Sequence, residues 1–138
     1  MGNLRRSEVI TSIIDALKPL NIPIYEWRVT PAEFNELPII VVRDKEDNVD
    51  DTEVAGSAKH TLKVEIEYTT AKKDLSIGDV REVIASILNS LKTKDEETPI
   101  GEYISLKNVE IDFEHHEIIV GRGMIDLEIT YYTEKWGI

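Results

Sequence analysis

Nine residues near the end of the chain, Met124-Ile-Asp-Leu-Glu-Ile-Thr-Tyr-Tyr132, alternate apolar and polar side chains almost without a slip. A period of two places Ile125, Leu127, Ile129 and Tyr131 on one face of a strand, and Asp126, Glu128, Thr130 and Tyr132 on the other. The same pattern recurs upstream, where His60, Leu62, Val64, Ile66 and Tyr68 alternate with Thr61, Lys63, Glu65 and Glu67. Strands buried on both faces would be more uniformly apolar. The chain must therefore build a sheet with one covered and one wet face, in antiparallel or mixed pairing.

Helices supply the cover. Val9, Ile10, Ile13, Ile14 and Leu17 recur at helical spacing within residues 4–18, and Pro19 stops the run. Val80, Val83, Ile84, Ile87, Leu88 and Leu91 form a second stripe, with Ser76 as cap and Asp79 at the capping-box position. Leu37-Pro-Ile-Ile-Val-Val-Arg43 reads as a strand with its proline at the start, and residues 21–27 as an extended stretch around Pro23. Ile104, Leu106, Val109, Ile111 and Phe113 form another strand whose period slips, which predicts a bulge near Lys107-Asn108. The expected fold is α+β: a two-layer sandwich of a mixed or mainly antiparallel sheet with two helices packed on one face. Residues 1–138 read as one domain without internal repeats, with polar loops near 44–58 and 94–101.

Composition narrows the function classes. Twenty-seven acidic residues against 16 basic ones give a net charge of -11, so the general surface repels nucleic acid. The absence of cysteine removes disulfides, thiolate catalysis and thiolate metal sites. No apolar run approaches the roughly 18–20 residues that cross a bilayer. The opening segment carries Glu8 and Asp15 within its apolar pattern and reads as an amphipathic helix rather than a signal peptide, and Gly2 is a poor acylation position beside it. A protein of the cell interior is expected.

No constellation of reactive residues stands out. His115 and His116 are adjacent on a strand and point to opposite faces, so they do not converge on a metal. Asp50-Asp51 and Glu96-Glu97 are paired carboxylates in solvated loops, without the differing environments that acid–base catalysis needs. The segment from Asp44 to Asp51 lacks the glycine and terminal glutamate of a calcium loop. Gly121-Arg122-Gly123 precedes a strand rather than a helix, which suits a hairpin turn and not a phosphate cradle. None of the serines sits in a nucleophile elbow. Neither a catalytic residue nor a metal or cofactor site is expected.

Interface chemistry is better represented. Residues 44–53 hold six acids and one lysine. Tyr25, Trp27 and Arg28 cluster early, and Tyr131, Tyr132 and Trp136 cluster late; aromatic residues and arginine are enriched at protein interfaces as well as in cores. Tyr132 and Trp136 are contact candidates on that ground. A final strand at an open edge would also offer its backbone to another subunit.

Taken in order, the opening helix Leu4 to Lys18, the strand Pro38 to Arg43, the polar loop through Ser57, the strand His60 to Tyr68, the helix Asp79 to Leu91 and the closing strand Ile125 to Tyr132 resemble the tail terminator, or tail completion, proteins of long-tailed bacteriophages, of the siphophage minor tail protein U type. The resemblance lies in order, length and texture across most of the chain. It implies a non-enzymatic virion protein, assembled in the host cytoplasm, that forms a ring of usually six copies on the tail tube. Such a ring stops tube polymerisation and offers the head-attachment surface, so its partners are the tube protein and head–tail connector proteins. DNA passes through without specific binding, and no membrane is involved. In that setting Asp47, Asp50, Asp51 and Glu53 are the expected contacts of the acidic loop, with Arg28, Arg43 and Arg122 as salt partners across subunits. Another head–tail connector or tail-associated adaptor, a stand-alone protein-binding domain and a small enzyme with a helix–sheet pocket are the alternatives.

Overall fold

Period-two patterning becomes a sheet with one dry face in the computed structural model, which describes residues 4–28, 30–53 and 55–138. Gly2, weighed above as an acylation position, and Val54, within the expected acidic loop, lie outside the described residues. The elements follow the order α1 (Arg6–Leu17), β1 (Ile24–Glu26), β2 (Ile39–Asp50), β3 (Ser57–Lys72), α2 (Ile77–Glu97), β4 (Tyr103–His115) and β5 (Ile119–Glu134). They build one five-stranded sheet in the order β1-β2-β3-β5-β4. β1 runs parallel to β2 and every other pair is antiparallel, so the sheet is mixed. The α+β sandwich is the observed architecture.

Both helices lie over the face that carries His60, Leu62, Val64 and Ile66 of β3 with Ile125, Leu127, Ile129 and Tyr131 of β5. α1 contributes Val9, Ile10, Ile13 and Leu17 to this core, and α2 contributes Val80, Ile84, Ile87 and Leu91. Each such side chain, taken from water, stabilises the fold by roughly 1.5–3 kcal/mol. Ser76 starts α2 as expected: its hydroxyl accepts from the Asp79 amide at 3.2 Å, and the Asp79 carboxylate accepts from the Ser76 amide at 3.0 Å. The bulge expected in β4 lies between Leu106 and Asn108.

Three local expectations are corrected. The loop expected at 44–58 is mostly strand, because β2 continues to Asp50 and only residues 51–56 connect it to β3. Its acids do not repel the strand apart, since Arg6 holds Asp44 at 2.6 Å, Lys63 holds Glu46 at 3.2 Å, and Lys45 reaches back to Glu65 at 3.0 Å. The loop expected at 94–101 is half helix. α2 runs to Glu97, its last turn closed by the Thr98 amide on the Lys94 carbonyl, and the Asp95 carboxylate then accepts from the Ile100 amide at 2.8 Å.

The third correction concerns Gly121-Arg122-Gly123, which lies inside β5 rather than in a turn; the chain reverses at residues 116–118. A side chain at Gly121 would meet Val80 at 2.5 Å and Leu75 at 3.0 Å, and one at Gly123 would collide with Ile84. The glycines let α2 approach the sheet. β5 is also an interior strand, so the closing strand offers no free edge; the edges belong to β1 with the outer half of β2, and to β4.

Candidate functional site

The face that the helices leave bare is a lattice of cross-strand ion pairs. Arg43 on β2 reaches Glu65 at 3.0 Å and Glu67 at 2.9 Å on β3, and Lys45 shares Glu65. Arg122 on β5 lies 3.3 Å from Glu67 and 3.6 Å from Asp112 on β4. The Arg122 Nε, although buried and close to Glu67, lacks hydrogen-bond geometry, so this contact is a Coulombic one. Arg28 completes the group: it donates to Glu36 at 2.6 Å and lies over the Tyr25 ring at 4.8 Å. That hydrogen bond holds the Glu36 carboxyl below its ordinary range and raises the already high pKa of Arg28.

Sequence reasoning named Arg28, Arg43 and Arg122 separately, and the sheet brings all three around one cavity of about 410 Å³, walled also by Phe34, Val41 and Glu67. Every guanidinium already faces a carboxylate of its own chain. The cavity is therefore lined by matched charge and is not a bare cationic pocket.

The acids behave in two ways. Asp50, Asp51 and Glu53 are exposed at the β2–β3 tip, as expected. Asp50 accepts from the Thr52 hydroxyl at 2.6 Å and the Thr52 amide at 2.9 Å, and these bonds lower its pKa. Their rows lie roughly 20–35 Å along the strands from the arginines, at ~3.3 Å per residue. No pairing between the two sets is possible within one molecule.

Asp47 does not belong with them. It lies in β2 with its side chain only 9% exposed, against Arg6 at 3.8 Å. Its Oδ2 accepts from the Tyr131 hydroxyl at 2.8 Å and faces His60 Nδ1 at 3.0 Å. His60 in turn stacks on Tyr131 with ring centroids 4.5 Å apart and meets the Thr133 hydroxyl at 2.8 Å through Nε2. Burial first, then the neighbouring carboxylate, push the Tyr131 phenol far above its ordinary value. The sequence reading missed this network. Its signal was the histidine on the apolar side of the β3 alternation, since a buried histidine demands polar partners. The β2 bulge between Asp44 and Asp47 turns the partner inward.

The aromatic candidates separate as well. Tyr132 lies on the bare face beside Lys59, partly exposed, whereas Trp136 is 89% exposed beyond the last strand, with a backbone φ of 69°. Among the described residues, no three His, Asp or Glu side chains are grouped to hold a metal ion, and no helix is long and apolar enough to cross a membrane. No protein-family model matches the chain, and no curated protein matches its sequence.

Proposed function

We propose that this chain is a non-enzymatic structural subunit of a long-tailed phage virion. Copies form a ring, six in number, that caps the tail tube, stops its polymerisation and provides the surface for head attachment. The observation that carries the reading is the spatial division of labour on one rigid sheet. An exposed acidic tip (Asp50, Asp51, Glu53) stands at one end and the arginine cavity toward the other, on a face without helices. Charges of opposite sign that cannot meet within a molecule suit contact between molecules, and ion-paired rows keep the face polar. A net acidic tip also suits a passage for DNA, because it repels the phosphate backbone. The protein then resides in the virion tail after assembly in the host cytoplasm, with the tube protein and connector proteins as partners.

The test is tube growth in vitro. Purified tube protein of the same phage, polymerised with and without this chain, should give arrested tubes with a ring of density at one end in electron micrographs. Asp50→Ala with Asp51→Ala should fold normally and lose tube or connector docking. Tubes of unchanged length distribution, without end rings at saturating protein, would reject the capping role.

A further inference from the structure

Six of the eleven large apolar side chains that are exposed among the described residues lie on the two edges of the sheet. Tyr25, Trp27 and Val49 are on the β1–β2 edge, and Tyr103, Leu106 and Val109 are on β4. Exposed apolar side chains along unpaired strand backbone form a template for another strand. β4 is unpaired on its outer side along its whole length. β1 covers only Ile40 to Val42 of β2, flanked by two further bonds, from the Ile40 amide to the Pro23 carbonyl and from the Trp27 amide to the Val42 carbonyl.

Strand directions say which edges fit. Following the pairings across the sheet, β4 runs opposite to β1 and β2. Rotation about an axis along the strands preserves direction, so β4 of one copy meets β1 of the next antiparallel. The rows also match. Glu26, Val42, Ile66, Ile125 and Val109 share one row, and Tyr25, Val41, Glu67, Met124 and Glu110 share the next. Trp27 donates to Asp44, whose row ends at Leu106. Trp27 and Leu106 thus come level on the helix-covered side. On the bare face, exposed Glu110 and Asp112 of β4 come level with Arg28, which lies over Tyr25.

We infer that the partner of each edge is the unlike edge of a second copy of this chain, β4 joining β1 and the outer half of β2 in an antiparallel, head-to-tail joint. Trp27 meets Leu106 and Arg28 meets Glu110 across it. A head-to-tail joint repeats and closes into a ring when its rotation closes. The inference deepens the proposed ring and rests on it for closure.

The chain has no cysteine, so paired substitutions report cleanly. Directly opposed antiparallel residues lie about 4.5–5.5 Å apart between Cα atoms, within disulfide reach. Glu26→Cys and Val109→Cys share a row and are both exposed. Oxidised at high protein concentration, the equimolar mixture should give at least tenfold more disulfide dimer than either variant alone, and the double variant a ladder ending in a closed species. Leu106→Asp, at a half-exposed position, should keep the wild-type circular dichroism and weaken self-association at least tenfold by sedimentation. Dimers from Val109→Cys alone would overturn the joint in favour of a symmetric β4–β4 contact. Absence of the 26–109 crosslink, or unchanged association of Leu106→Asp, would overturn it too, even where micrographs show wild-type rings. Crosslinked rings that fail to arrest tubes would uphold the joint and refute capping.

Discussion

Asp47→Ala and Asp51→Ala remove carboxylates four residues apart in the same acidic stretch, and the structure makes them unequal. Asp47 Oδ2 satisfies two buried groups, the Tyr131 hydroxyl at 2.8 Å and His60 Nδ1 at 3.0 Å. Leaving a buried polar group without its partner costs about 1–3 kcal/mol. Two such groups, with the loss of the weaker Arg6 contact at 3.8 Å, give a destabilisation of about 3–5 kcal/mol, the range for breaking a buried charged pair. That is a large share of the ~5–15 kcal/mol that holds a domain together. Asp51, exposed at the tip, should change stability by less than about 0.5 kcal/mol. The assay is urea denaturation followed by far-ultraviolet circular dichroism. At a slope of roughly 1.5 kcal/mol per M, the Asp47→Ala midpoint falls by on the order of 2 M and that of Asp51→Ala stays put. Asp47→Asn, which keeps one acceptor oxygen, should fall between them. Equal midpoints for the two alanine variants would refute the assignment of Asp47 to the interior network.

Further consequences concern acid stability, packing and capping. Partial burial raises the Asp44 pKa, but hydrogen bonds from Trp27 and Arg6 outweigh it and the net shift is downward. Its stabilising contribution is therefore complete above the unfolded carboxylate value of about 4 and is lost as pH falls through the lower folded value. Asp44→Asn should flatten that part of the stability–pH curve, measured by thermal melts between pH 2 and 6. Gly123→Ala drives a methyl into Ile84 and should cost about 1–3 kcal/mol in the same urea titration, a loss that Ile84→Val partly relieves. Ser76→Ala removes the cap of α2 and should cost about 1 kcal/mol.

The sequence by itself determined the central runs of the strands, the helix stripes and the faces of the side chains within those runs. The period-two runs from His60 to Tyr68 and from Met124 to Tyr132, and the stripe from Val80 to Leu91, report local geometry: alternate strand residues must face opposite ways, and every third or fourth helix residue must share a side. The bulge in β4 was legible for the same reason, as a slip of one residue in that period. The site was legible only residue by residue. Arg28, Arg43 and Arg122 could be named as candidates, but their meeting at one cavity depends on β2, β3 and β5 lying side by side.

Tertiary structure decided everything that requires a partner from elsewhere in the chain. Acids at 44–50 look like a solvated loop until Arg6 and Lys63 compensate them across the fold, and compensation turns the segment into strand. Gly121 and Gly123 look like a turn until α2 packs against them. The closing strand, locally fit to be an edge, becomes interior because β4 pairs along its far side. Local periodicity fixes the face of each residue within a regular run. Charge balance, close approach and edge or interior position are properties of pairs, and folding alone creates those pairs.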